Sequence, residues 1–495
     1  MRTLNINIKE NCKKNKKHFN YCVGGGRAYE SLLAENQKHL KTVKDECGFR
    51  YFRFHGLLHD DMAVCILNKK GEIEYNWQYV DLLFDYLVDI GMKVFVEFSF
   101  MPYPLASGKE TIFYWKANIT MPKNLKDWFE LIKALVNHWV DRYGANEVRT
   151  WLFEVWNEPN LKYFFASNNP FDDYMKLYDY TVRAVKSVDN SLKVGGPATA
   201  DSEWIDEFIE TCYRENIPVD FVSTHTYGVD GSFDEYGVQL TTLIANEKSI
   251  TNDIISTYKR VKKSKIPDLP IHYTEWSTSY SSRDNVHDSY IEASFLLTRI
   301  KDSEEYVDSM SYWTMSDIFE EASPGPSHFH GGFGLQNIQG IKKPAFFVYK
   351  YLNMLGDIKI QCSDKSSFIC KNENGVQILF WDYTILNQDC PNQDFFVKDL
   401  PSKYKQDIEI VISGLKEGKY KLNVYGVGYQ MNDAYSEYLK MKFNGTMSRQ
   451  QVNIIKNNCS GNSIHSEDIY IEENKEFKYI RKIRENDVVL ITIDK

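Results

Sequence analysis

Two acidic residues stand where apolar runs break off. Trp151-Leu-Phe-Glu-Val-Trp-Asn-Glu158-Pro-Asn160 begins as a strand buried on both faces and cannot continue past Asn157, because proline removes a ladder donor and Asn favours turns. Leu269-Pro-Ile-His-Tyr-Thr ends in Glu275-Trp276. An acid at a strand boundary can simply cap or pair. Two carboxylates facing each other across a cleft, however, are what cleavage of an acetal requires. One must be protonated, to give its proton to the leaving oxygen. The other must be ionised, to attack or stabilise the sugar carbon. Glu158, beside Trp156, is placed for a proton affinity raised by desolvation. Glu275 stays ionised if Arg53 and Tyr227 donate to it. Asn157 can bind a sugar hydroxyl next to the reacting carbon, and Trp276 and Trp313 offer flat apolar walls. His55 and His225 have no third ligand at helical or hairpin spacing, so they read as sugar contacts rather than metal ligands. Glu154 points into the interior as the partner of a buried arginine, a role Arg53 can fill.

Strands must bring these groups together. Tyr21-Cys-Val-Gly-Gly-Gly26 reads as a short strand ending in a glycine turn, without the Lys-Ser/Thr of a phosphate loop. Phe49–Gly56, Lys93–Phe100, Trp151–Glu158, Leu192–Pro197, Val219–Tyr227, Leu269–Trp276 and Val307–Trp313 follow as strands. They alternate with helical periodicity over Tyr29–Glu46, Tyr79–Ile90, Asn124–Tyr143, Phe171–Val188, Ser202–Glu215, Glu247–Lys263 and Asp288–Ile300, and a last helix spans Lys343–Leu355. Strand then helix, repeated eight times, predicts a (β/α)8 barrel, a TIM barrel, over 15–345. A doubly wound sheet usually has fewer strands and carries a phosphate fingerprint, and none is visible. The predicted strand ends bearing Arg53, His55, Asn157, Glu158, His225, Tyr227, Glu275 and Trp313 would share one mouth, with Glu320 and Glu321 just beyond the eighth.

Past Gly356 the texture changes to alternating, β-branched segments such as Val376-Gln-Ile-Leu-Phe-Trp and Tyr420-Lys-Leu-Asn-Val-Tyr. Such segments predict an accessory antiparallel β-sandwich over 346–495. Met1–Lys9 has the same texture, so 1–14 is assigned to that domain. The 495 residues, 43% hydrophobic and 26% charged, suit a globular protein of this size. A net charge of -9 without a basic stripe argues against nucleic acid. No apolar run is long enough for a membrane span. Nine scattered cysteines without a Cys-x-x-Cys read as reduced thiols of a cytoplasmic protein.

The quoted stretches around Glu158 and Glu275 resemble the signatures of the clan of (β/α)8 retaining glycosidases. Arg53-Phe-His-Gly-Leu-Leu-His-Asp-Asp61, Phe221-Val-Ser-Thr-His-Thr-Tyr227, Tyr312-Trp-Thr-Met-Ser-Asp-Ile-Phe-Glu-Glu321 and Phe329-His-Gly-Gly-Phe-Gly-Leu335 are similar to family 39 of the glycoside hydrolases. That resemblance implies Glu158 as acid/base and Glu275 as nucleophile. It implies sugar contacts for His55, Asn157, His225, Tyr227, Trp313, Glu320 and Glu321. Met315 stands where relatives carry an aromatic residue. The expected activity is that of a retaining, exo-acting β-xylosidase on short xylo-oligosaccharides, with no cofactor and no metal. An arabinosidase, an iduronidase-like or endo-acting enzyme, or a non-catalytic sugar-binding protein are the rival readings. A homo-oligomer remains open.

Overall fold

The computed structural model describes the whole chain apart from residues 11, 237, 442–445 and 474. Runs rich in β-branched and aromatic residues form the parallel strands β1 (Cys22–Arg27), β2 (Tyr51–His55), β3 (Lys93–Phe98), β4 (Leu152–Val155), β5 (Lys193–Thr199), β6 (Phe221–Tyr227), β7 (Ile271–Ser277) and β8 (Ser309–Tyr312). Each pairs with the next, and β8 pairs with β1, closing the barrel. Around it lie α1 (Ala34–Cys47), α2 (Gln78–Asp89), α3 (Leu125–Tyr143), α4 (Pro170–Val188), α5 (Ile205–Glu215), α6 (Thr251–Lys263), α7 (Ile291–Ser303) and α8 (Pro344–Asn353). Asn124 caps α3 by accepting from the Lys126 amide at 2.9 Å. Gly48 stops α1 in the left-handed conformation, at φ 73°.

Inside the barrel, Cys22, Phe95, Leu152 and Phe221 form an apolar floor. Above it the lining turns polar. Four neighbouring pairs lose register near their C-terminal ends: β1–β2 between Gly24 and Arg27, β5–β6 between Pro197 and Thr199, β6–β7 between Thr224 and His225, and β7–β8 between Tyr273 and Trp276. Such irregularities re-aim side chains at a barrel rim. One result is that consecutive Thr274 and Glu275 both reach interior partners.

The glycines of Gly24-Gly-Gly26 lie within β1 rather than in a turn. A Cβ at Gly24 would enter the Trp313 ring, and one at Gly25 the Phe52 ring. Close approach of neighbouring rings, not a reversal of the chain, accounts for this triplet.

The rest of the chain builds two further sheets. One has seven strands, with Val488–Asp494 paired between Gly375–Trp381 and Gly418–Val427. The other has three: Arg2–Asn7 runs parallel to Tyr404–Ser413, which pairs with Phe477–Arg484. Leu4 and Ile6 alternate inward and meet Ile408, Ile410, Phe380 and Ile491 in a second core, which makes these sheets a sandwich. The chain therefore begins in the sandwich, builds the barrel and returns. The boundary placed at 345/346 from sequence falls inside α8. That helix packs on α1 and α7 of the barrel and donates from the Tyr351 hydroxyl to Gly426 O at 3.0 Å. Among the described residues no helix is long and apolar enough to cross a membrane.

Candidate active site

Arg53, on β2, organises the mouth of the barrel. Its guanidinium is fully buried and reaches three carboxylates: Glu97 at 2.7 Å, Glu154 at 2.6 Å and Glu275 at 2.8 Å. Its Nη2 also donates to Asn157 Oδ1 at 3.0 Å. A planar fork with several fixed donors can serve four acceptors brought in by three strands in this way. Glu154 is thus the partner of a buried arginine, as expected, and Arg53 additionally holds Glu275. Thr274 donates to the other oxygen of Glu154 at 2.8 Å.

Glu275 also accepts from the Tyr227 hydroxyl, through Oε2, at 2.8 Å. His55 lies beside it, with Nε2 at 3.6 Å from Glu275 and 3.5 Å from Glu321, and Nδ1 at 2.8 Å from Glu97. Burial works against charge on His55, but the carboxylates of Glu97, Glu321 and Glu275 outweigh it and push its pKa up to about 10. Glu97 answers in the opposite direction. Burial alone would raise its pKa, and His55 and Arg53 bring it below the ordinary value.

Glu158 follows β4, where the backbone leaves the strand through two left-handed residues, Trp156 at φ 67° and Glu158 at φ 44°. Neither is glycine, and such conformations outside glycine concentrate at functional sites. The turn ends the alternation of the strand. Trp156 packs between Phe100 and Phe165 beneath the loop, while Glu158 meets His225 Nδ1 through Oε1 at 2.8 Å. Desolvation is the largest influence on Glu158 and raises its pKa to about 7, with Asp201 adding to it against His55 and Arg53. Burial lowers His225 to about 4, so its ring is neutral near pH 7.

Ligand atoms of Glu158, His225 and Glu275 all lie within 4.8 Å of one another. Spacing along the chain could not show this, because the three come from β4, β6 and β7. Among the described residues, these three donors are the set whose spacing would admit a metal ion.

Trp313 lies with its ring 4.7 Å from His55 and the Arg53 guanidinium 5.8 Å from its own ring. Trp276 is different. It is fully buried in the main hydrophobic core, so it does not supply the wall expected of it. Met315 is buried in that core too, its amide donating to Gly24 O at 2.8 Å. The two acids after β8 part company: Glu321 faces His55, whereas Glu320 pairs with Arg27 at 2.6 Å. Arg27 also meets Asp61 and lies over the Trp115 ring. Glu97, Arg27 and Phe113, whose ring is 6.1 Å from His55, were given no role from sequence. Of these, Glu97 carried a signal, an acid inside the apolar run Lys93–Phe98.

Known proteins share this fold. The profile described as Glycosyl hydrolases family 39 matches residues 2–457. A beta-xylosidase from Geobacillus stearothermophilus is 42% identical over 392 residues, which is 76% of each chain. A solved monomeric beta-xylosidase from Caulobacter crescentus CB15 is 39% identical, with a TM-score of 0.96 over 100% of this chain and 99% of its own. The GH39 enzyme from Xanthomonas axonopodis pv. citri superposes with a TM-score of 0.97 at 37% identity, over 100% of this chain and 97% of its own. With its barrel, its sandwich and its buried carboxylates, the chain belongs to glycosyl hydrolases family 39 and is a glycoside hydrolase.

Proposed function

We propose that the protein is a retaining β-xylosidase that removes xylose from the non-reducing ends of short xylo-oligosaccharides. The observation that carries this reading is that one carboxylate oxygen of Glu158 and one of Glu275 lie within 4.8 Å of each other, with His225 Nδ1 2.8 Å from Glu158 and 3.7 Å from Glu275. Retaining pairs lie about 5–5.5 Å apart, whereas inverting pairs leave room for a water at about 6.5–9.5 Å. The beta-xylosidase names of the relatives support the sugar. So does Glu321 beside His55, since an acid there suits an uncharged pentose better than a uronate.

Exo action draws its support from the rim. The loop after β3 donates from the Tyr114 amide to Glu321 O at 2.7 Å, and Trp115 lies under Arg27. Loops after β3 and β8 are thereby joined across the mouth, an arrangement suited to a blind pocket that takes a chain end.

In the first step Glu158 gives its proton to the glycosidic oxygen while a Glu275 oxygen attacks the anomeric carbon. The carbon–oxygen bond to the leaving group breaks, and an ester to Glu275 forms. Neutral His225, donating from Nδ1 to Glu158 Oε1, leaves Oε2 to carry the proton. Esterification removes the charge of Glu275, which lowers the proton affinity of its neighbour. Glu158, now a carboxylate, takes a proton from water as the oxygen of that water attacks the same carbon. The ester bond to Glu275 breaks, its electron pair returns to the Glu275 carboxylate, and xylose leaves with Glu158 reprotonated. Proton NMR of the first-formed sugar tests the reading. β-Xylose is expected first from a β-xyloside, and α-xylose appearing first would overturn retention.

A further inference from the structure

Away from the carboxylate pair, three loops of the barrel mouth meet the C-terminal part of the chain at one buried acid. Asp284, in the loop after β7, is fully buried. Its Oδ2 accepts from the Thr241 hydroxyl at 2.7 Å and from the Asn392 amide at 2.7 Å, and its Oδ1 from the Val286 amide at 3.2 Å. Thr241 belongs to the hairpin that follows β6 (Val229–Phe233 with Gln239–Leu243). Asn392 lies beyond the barrel, between strands Gly375–Trp381 and Tyr404–Ser413 of the sandwich. Gln393 reinforces the junction, donating to the Thr241 hydroxyl at 2.9 Å and accepting from the Thr241 amide at 3.2 Å. The loop after β8 joins as well, since the Asp284 amide donates to Gly331 O at 3.0 Å.

A buried carboxylate that keeps all its donors is a rigid anchor, and one that loses a donor is expensive to keep in place. What the anchor fixes is Tyr280. This residue sits on the tied loop after β7, 36% exposed, with its hydroxyl towards the hairpin. Its hydroxyl accepts from Gln239 of the hairpin at 3.3 Å. Gly231 has no side chain where a Cβ would strike that hydroxyl. The buried His287 ring lies 3.0 Å from both Ser279 O and Gly331 O, and its single N–H, burial favouring the neutral ring, donates to one of these two carbonyls beside Tyr280. The Tyr280 ring meets Tyr227 edge-on at 6.2 Å, and Tyr227 donates to Glu275.

We infer that Asn392 and Asp284 are positioning residues through which the C-terminal part of the chain sets Tyr280, and through Tyr227 the nucleophile's side of the sugar pocket. The inference rests on Glu275 being the nucleophile of the proposed reaction. It assigns the sandwich side of the molecule a part in catalysis without a contact to substrate.

The test uses the full chain carrying Asn392→Ala. Hydrogen exchange of 229–243 and 278–290 should speed up by about tenfold or more while the rest of the barrel stays protected. On nitrophenyl β-xyloside KM should rise by about tenfold with a smaller fall in kcat, because substrate placement rather than proton transfer is disturbed. The exchanged pair Asp284→Asn with Asn392→Asp restores a donor facing an acceptor and should recover both readouts. Unchanged exchange in both segments overturns the junction. Loosened segments with wild-type KM and kcat overturn the positioning role. Failure of the wild-type protein to cleave any β-xyloside would count against the proposed substrate only. The kinetic comparison would then run on the glycoside it does cleave, and the exchange result would stand unaltered.

Discussion

Glu158 and Glu275 are both carboxylates in one cleft, and their surroundings separate their roles. Glu275 has two donors, Arg53 and Tyr227. Glu158 has His225 and desolvation, which lifts it to about 7. The sign of the pH dependence follows. Protonated Glu158 is the form that starts the reaction, so kcat/KM should fall as pH rises through about 7. Glu158→Gln should lose that alkaline limb and keep measurable turnover only on activated leaving groups. A wild-type profile rising through neutral pH would contradict the assignment. Linkage runs the same way. A carboxyl whose folded pKa exceeds its usual 4.5 stabilises the fold most fully below that value, and the contribution is lost by the time pH has passed about 7. The acid pair was legible in the sequence because each acid ends an apolar run. The individual fates of Glu320 and Glu321 were not. Adjacent acids on an irregular loop give no parity to read, and only the fold shows one turned to Arg27 and the other to His55.

Strands and helices were largely legible because the period of the apolar pattern changes cleanly between them. Their ends were less so: β4 stops at Val155, short of Glu158, since the backbone turns through positive φ at Trp156. Two inferences failed for reasons that belong to packing. Trp276 was placed at the sugar because it adjoins Glu275, yet the shift between β7 and β8 puts it in the core. The triplet Gly24-Gly-Gly26 was read as a turn because glycine usually marks one, whereas here it makes room for Trp313 and Phe52. Gly24→Ala should therefore cost about 1–3 kcal/mol of stability through overpacking and raise KM by displacing Trp313. Thermal unfolding and steady-state kinetics check this together. Wild-type values in both would mean that the ring has free space to yield.

The order of the chain ties sandwich to barrel. The first strand completes a sheet formed mainly by the last part of the sequence, and Arg2 pairs with Asp364 at 2.6 Å. The alternation of Met1–Lys9 made that placement legible. Its parallel direction beside Tyr404–Ser413 was not, since alternation is blind to direction. Removing Arg2–Asn7 would expose the partners of Leu4 and Ile6, which are worth about 1.5–3 kcal/mol each when fully buried. The thermal midpoint should drop, while the folded fraction keeps its KM. An unchanged midpoint would show that this strand contributes little.

Covalent trapping tests the proposed chemistry most directly. A 2-deoxy-2-fluoro-β-xyloside with a good leaving group should inactivate the enzyme. Peptide mass spectrometry should then find the fluorosugar on Glu275. A label on Glu158, or steady turnover of the reagent with no labelled peptide, would contradict the roles given to the two acids.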